Sequence, residues 1–408
     1  MAFIEFSLTS SRGDTDIHCV GWTVDDPVAT LQISHGMIEH ILRYTDFAKY
    51  LNSNRISVFG HDHLGHGRTS PDDLGTIAES DGDEHLVEDL YLVTREIDRR
   101  CPGIPHFILG HSMGSFVVRR YLTRYGEMVD GAVIVGTGNQ SPLSVSFGKL
   151  VATILVKTKG PRYVSPFLNR TVLEGNDKAF DEPALPNRWI SRDEETVKAY
   201  NADPYSSFKF TVSGFRDLFT LIGKVVRCED IGGIPKGLPI ILLSGSDDPV
   251  GERGKGVRRA EKNLEKAGLH PDMILYEGGR HEILNETNRD EVYKDILYWL
   301  KDHISDRSAP HRREAVARSA AVGAVMPLLR PDPLVPISLD HQVGALESSL
   351  REGFPYGFGA VAVDPCHGNG AIASVFPESG DAGLAEHPSD AFAARICGYR
   401  YGIDETYP

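Results

Sequence analysis

The stretch His106-Phe107-Ile108-Leu109-Gly110-His111-Ser112-Met113-Gly114-Ser115-Phe116 decides the fold. A short apolar run at 106–109 leads into Gly-x-Ser-x-Gly, and a helical pattern opens at Phe116. Strand, sharp turn and helix stand in the order that lifts a serine hydroxyl clear of a sheet edge. Glycines two positions either side of Ser112 suit such a turn, because a Cβ there would strike the neighbouring strand or helix.

The pattern repeats outward from that turn. Apolar runs at 30–33, 55–59, 106–109, 132–135, 239–243 and 273–276 each have turn residues behind them, and 3–8 and 18–24 flank Ser-Arg-Gly-Asp as a hairpin would. Short, unalternating apolar strands suit a sheet buried on both faces. Helix-length segments at 38–51, 84–100, 116–125 and 254–267 lie between them. This alternation predicts right-handed crossovers and an α/β fold, a mostly parallel sheet flanked by helices. From 141 to 228 there are two helix-like stretches and no core strand, an insertion too long for a loop that reads as a helical lid.

The full chain has 408 residues, 41% hydrophobic and 25% charged, enough apolar content for a sizeable core. A net charge of −14 argues against nucleic acid as a partner, since a binder needs a basic face. Met1 to Arg12 lacks a secretory pattern, and no apolar run nears the about 20 residues that span a bilayer. Five scattered cysteines without a C-x-x-C pair suggest reducing surroundings. A cytoplasmic protein without a transmembrane segment is the expectation; oligomeric state is not legible.

Composition breaks near residue 305. All 14 Lys lie at or before Lys301, and the following stretch carries 10 of the 24 Pro. Before Ile304 the charge is −9, from 35 basic and 44 acidic residues; after it, −5, from 8 and 13. The expected organisation is an α/β core in two parts, 1–140 and 229–305, a lid at 141–228, and an unassigned C-terminal extension at 306–408. Three readings of the extension stay open: a disordered tail, a small appended module, or sequence fused or read out of frame.

A serine hydroxyl needs a base, and the base needs a carboxylate to orient it. In this topology the order is Ser, then Asp or Glu, then His, each after a later strand. Asp247 and Asp248 follow the run 239–243, and His281 follows 273–276. His281 would take the proton of Ser112 and return it to the leaving group. The residues alone leave Asp247 and Asp248 open. An oxyanion needs backbone donors. Met113 N–H, directly after the serine, is one; Met37 N–H, in Ser34-His35-Gly36-Met37 after the third strand, is the second. His61-Asp62-His63-Leu64-Gly65-His66 has the look of a metal site, but Gly65 stands where a binuclear zinc hydrolase has Asp, so it reads as a structural turn.

Together these motifs resemble the α/β-hydrolase superfamily, and within it the monoacylglycerol lipase, lysophospholipase and serine-aminopeptidase-like group. Carrying the resemblance are His35 through His40 with Arg43-Tyr44, Asp62 through Gly67 with Ser70, Gly110 through Gly114, Gly245 through Val250, and His281 through Glu286. Trp189 through Asp193, Tyr200 and Asp203-Pro204 carry it through the lid. It covers about residues 3–303. The resemblance implies a catalytic set of Ser112, Asp248 and His281, donors at Met37 and Met113, hydrolysis of glycerolipid esters or N-terminal peptide bonds, and no cofactor or metal. His63-Leu64 departs from the basic residue usual before Gly-His-Gly.

In the lid, Val145, Phe147, Leu150, Val151, Ile154 and Leu155 recur at helical spacing. One reading packs this stripe on the core. The other has Phe147, Leu150 and Ile154 line an acyl channel, or touch a membrane surface while lipid is drawn in. An apolar lid over a serine favours a small-molecule or lipid ester. An aminopeptidase would need a lid acid for the substrate ammonium, with Glu174, Asp177 and Asp181 as candidates, and a catalytically silent binding protein is the third alternative.

Overall fold

Eight strands form one sheet: β1 (Ala2–Thr9), β2 (Asp16–Thr23), β3 (Ala29–Ser34), β4 (Ile56–His61), β5 (His106–His111), β6 (Gly131–Val135), β7 (Ile240–Gly245) and β8 (Asp272–Tyr276). The computed structural model describes residues 1–180 and 185–305; the expected C-terminal extension and Asp181 lie outside the described residues. Strand order is β1-β2-β4-β3-β5-β6-β7-β8. β1 and β2 pair antiparallel, as do β2 and β4, and every other pair is parallel. The chain therefore has the expected mostly parallel sheet with an antiparallel edge.

Side-chain alternation sorts the core into two layers. Phe107, Leu109, Val133, Val135, Ile241 and Leu243 point to one face, where helices α1 (Thr45–Asn52) and α9 (Arg289–Ser305) cover them through Phe47, Leu51, Val292 and Ile296. Ile108, Ala132, Ile134, Ile240 and Leu242 point to the other, under α2 (Gly82–Arg100), α3 (Met113–Tyr125) and α8 (Lys255–Lys266). The helices cover both faces, so the central strands are buried throughout.

Between β6 and β7 the chain forms α4 (Pro142–Lys159), α5 (Pro166–Val172), α6 (Glu194–Ala202) and α7 (Val212–Gly223). Local chemistry starts them: Ser141 and Ser165 cap α4 and α5 with proline directly behind, Asp193 caps α6 and Thr211 caps α7. Among the described residues no helix is long and apolar enough to cross a membrane.

Three expectations change. The lid holds four α-helices where two helix-like stretches are read from sequence. The segment 38–51 is not one helix: Ile38 turns into the left-handed region at φ 59°, and a tight turn at Ile41–Tyr44 precedes α1. In addition, α9, whose Val292, Ile296, Trp299 and Leu300 bury at helical spacing, adds a helix beyond the segments read from sequence.

Candidate active site

The site lies at the C-terminal ends of the parallel strands, where an open α/β sheet presents its loops. Ser112 sits between β5 and α3 at φ 51° and ψ −118°, a strained conformation for a residue with a side chain. Its N–H is tied to Val135 O at 3.0 Å. The flanking glycines are needed for backbone reasons: a Cβ on Gly110 would come to 2.4 Å from Gly114 O, and one on Gly114 to 2.0 Å from Ser34 O.

His281 follows β8 and is buried. Its Nδ1 donates to Asp248 Oδ1 at 3.0 Å, which leaves Nε2 as the other ring nitrogen. Asp248 is fully buried and fixed twice more, by Val250 N–H at 2.9 Å and Ser244 Oγ at 3.2 Å. The geometry separates the two aspartates: Asp248 meets the imidazole, whereas Asp247 is half-exposed and uses its N–H on Gly279 O. The Trp189 and His111 rings each stand 4.9 Å from that of His281.

The loop after β3 closes on the same point. A Cβ on Gly36 would stand 3.0 Å from Ser112 Cβ, so the loop lies against the serine only because residue 36 has no side chain. His35 Nδ1 donates to Gly36 O at 2.7 Å while its Nε2 accepts from His63 N–H at 3.0 Å, which requires a neutral ring. From the lid, Tyr200 donates its hydroxyl to the carbonyl of the strained Ile38 at 2.9 Å.

A buried ion network under these loops was not assigned a role from sequence. Arg43 makes a bidentate pair with Glu282, both bonds 2.6 Å, and reaches Glu39 at 3.1 Å. Glu39 also accepts from Gly36 N–H, Tyr44 OH and His111 Nδ1, at 2.5, 3.0 and 2.8 Å. Burial pushes the Glu39 carboxyl upward, but His111 and Arg43 outweigh it and hold the group well below the carboxylate range. His111 answers in kind: burial lowers it, and the Glu39 charge raises it above its ordinary value. One carboxylate thus links the loop after β3, the residue before Ser112 and, through Arg43, the residue after His281. The spacing of Glu39 and Arg43, four apart, was the available signal.

His35, in the loop after β3, and His61, His63 and His66 are fully buried, with His35 and His61 each beside His63 at 4.4 and 4.7 Å between ring centres and His66 at 5.3 Å from His35. Burial lowers all four, His35 and His61 to about 4 and His66 to about 3. Asp62, from the same sequence motif, binds Ile41 N–H, Arg68 N–H and His18. Among the described residues no group of three His, Cys, Asp or Glu side chains could hold a metal ion.

Met37, Ser112, Met113 and His281 line one cavity of about 380 Å³. Phe116, Val145, Leu218, Phe219 and Ile222 give the lining apolar surface, and Glu39, His111, Tyr200 and Glu282 add polar groups to it. Phe147, Leu150 and Ile154 are not in the lining. They are exposed, at 62, 45 and 48%, because Val145, Gly148 and Ala152 form the inward face of α4 and these three project from the other side. Nor do Glu174 and Asp177, the lid acids among the described residues, line the cavity: Glu174 pairs with Lys209 at 2.9 Å, and Asp177 binds the N–H groups of Asn187 and Trp189.

An eight-stranded sheet of this order, a serine on the strained turn after its fifth strand and a cavity at the strand ends define the class: an α/β-hydrolase. The chain belongs to the family described as serine aminopeptidase, S33, which matches residues 25–288. It is similar to a monoglyceride lipase homolog of monkeypox virus, 27% identical over 300 residues covering 71% of this chain and 95% of that one. Human monoglyceride lipase is 27% identical over 296 residues, covering 69% and 84%. Among solved structures, a thermostable carboxyl esterase from Bacillus coagulans in complex with glycerol superposes with a TM-score of 0.70 at 28% identity, covering 74% of this chain and 99% of that one.

Proposed function

We propose that this chain is a carboxylic ester hydrolase acting on esters of the monoacylglycerol or lysophospholipid type through an acyl-enzyme on Ser112. The observation that carries the proposal is the His281–Asp248 hydrogen bond, 3.0 Å, beside a strained serine that shares an apolar cavity with His281. Asp248 holds the Nδ1 proton, so Nε2 of His281 takes the proton of Ser112 as its Oγ attacks the ester carbonyl. The N–H groups of Met37 and Met113 receive the oxyanion. The tetrahedral intermediate collapses, the alcohol leaves with the proton from His281, and water releases the acid by the same steps in reverse. The kinship with monoglyceride lipases and a carboxyl esterase supports this reading.

The cavity supports a two-part substrate. Its apolar surface suits an acyl chain, and the Glu39, His111, Tyr200 and Glu282 lining suits a hydroxylated alcohol. The exposed Leu143, Phe147, Leu150 and Ile154, spaced four, three and four along α4, form one apolar stripe suited to transient contact with a lipid surface.

Labelling with a fluorophosphonate tests the nucleophile: wild type should label and Ser112→Ala should not, and equal labelling would sink the assignment. A panel of p-nitrophenyl esters beside an aminoacyl anilide tests the reaction, with preference for the anilide overturning the esterase reading in favour of an aminopeptidase.

A further inference from the structure

Glycine is, after proline, the poorest helix former, yet Gly148 sits in the middle of α4. Its setting supplies a reason. A Cβ on Gly148 would stand 2.7, 2.8 and 2.9 Å from Cζ, Cε1 and Cε2 of Phe219 on α7, closer than carbon atoms approach without one giving way. The Phe219 ring therefore lies back in the notch that the missing side chain leaves. Phe215, one turn earlier on α7, stands beside it with ring centroids 6.3 Å apart and planes 24° from parallel. Phe219 also lines the cavity that holds Ser112, as do Val145 and Ile222, while Gly148 itself does not. With α4 on one side and Phe215 on another, the cavity that Phe219 lines is a direction in which the half-buried ring can move.

We propose that Gly148 is a positioning residue that sets the acyl-chain length the site accepts, by letting Phe219 retract from the cavity. The proposal rests on the esterase reading above and deepens it. Any side chain at 148 pushes the Phe219 ring across the apolar lining, so long acyl chains lose room while short ones, which stay near Ser112, do not. The backbone contacts around Ser112 are untouched, because the colliding atoms are the far end of one side chain on α7.

The test compares p-nitrophenyl acetate with p-nitrophenyl decanoate in wild type, Gly148→Ala, Phe219→Leu and the double variant. In Gly148→Ala, kcat/KM for decanoate should fall about tenfold, mainly through KM, with acetate within about twofold, the scale at which one or two misplaced methylenes act in an apolar pocket. Phe219→Leu in the same chain should restore decanoate hydrolysis, which a general loss of helix packing would not do. Phe219→Trp, which leaves α4 unaltered, should disfavour decanoate in the same sense. Parallel loss on both esters, unchanged selectivity, or failure of Phe219→Leu to rescue would overturn the proposal. The two readings fail separately. A wild type that hydrolyses neither ester defeats the esterase reading, whereas ester hydrolysis with no change of chain-length preference in Gly148→Ala defeats only the role of Gly148.

Discussion

Gly114 and Gly245 at the strand ends and Gly148 in the lid meet different obstacles, and the proposed chemistry and the proposed selectivity divide along that line. At the strand ends a Cβ meets main chain: Ser34 O for Gly114, and Gly279 O, 2.0 Å away, for Gly245 before the Asp248 loop. Ser34 is held in the parallel sheet, and Gly279, just beyond β8, is tied to Tyr276 O and to Asp247 N–H, so neither main-chain segment steps aside easily. In the lid a Cβ on Gly148 meets only the tip of the Phe219 ring. On the proposed reading, the first kind of glycine fixes where the reacting groups stand, and the second sets a boundary that one rotamer can move. Substitutions near the sheet should therefore act on kcat, and substitutions in the lid on which substrate is taken.

The most severe challenge to the contrast is Asp248→Asn. An asparagine cannot anchor the same imidazole tautomer, so kcat should fall by about 10⁴ with folding retained, while Asp247→Asn stays near wild type. Equal losses in the two variants, read by steady-state kinetics, would show that the proposed geometry around His281 is not what the reaction uses.

Acid should divide the regions by sign. His35, His61 and His66 are held in the fold at about 4, 4 and 3 by burial, against about 6.5 in an unfolded chain. Unfolding takes up protons there, so the stability these groups confer is present above pH about 6.5 and is lost as pH falls toward about 4, by up to about 1.4 kcal/mol per group per pH unit. The lid has the opposite element. Asp217 on α7 is buried, and that burial, with Asp83 nearby and against the pull of Arg216, raises it to about 7. Its contribution is present below about 4 and is lost as pH rises toward about 7. Hydrogen exchange at pH 7 and pH 5, corrected for intrinsic rate, should show the loops at 34–38 and 61–66 losing protection while α7 gains it. Asp217→Asn should abolish the gain in α7 and leave the loops' response as it was.

The smallest effect tests the outer stripe of α4. Replacing Phe147 and Leu150 together by serine should leave hydrolysis of a soluble short-chain ester within about twofold, because exposed side chains carry little of the fold. Sedimentation with phosphatidylcholine vesicles should fall. Lost activity on the soluble ester would mean that the stripe serves the cavity after all.

Much of the sheet and its loop order was legible because strand, turn and helix leave local patterns: Gly110 through Gly114, the aspartates after β7 and His281 after β8 all stand where period and punctuation put them. The rest failed for physical reasons. Ile38 keeps the helical period of its neighbours, so nothing in its side chain announced the positive φ that breaks the segment 38–51. Arg43 and Glu282 are 239 residues apart and meet only through the fold. On α4 apolar residues occur on both faces, and hydrophobicity alone could not say which face turns inward; the small residues Gly148 and Ala152 mark it, because close helix packing needs them.

The strained serine turn has a consequence for assembly. Its bond to Val135 O requires β6, and its close fit under Ser34 O requires β3, in addition to the strand from which it springs. An isolated strand–helix segment has no partner to hold a conformation that costs about 1–3 kcal/mol, and would relax out of it. The strained turn therefore needs β3, β5 and β6 already paired, and on the proposed chemistry a nascent or misfolded copy without them would be inert. A reagent that captures the serine would count completed sheets, not chains, and so report maturation in a population of newly made molecules.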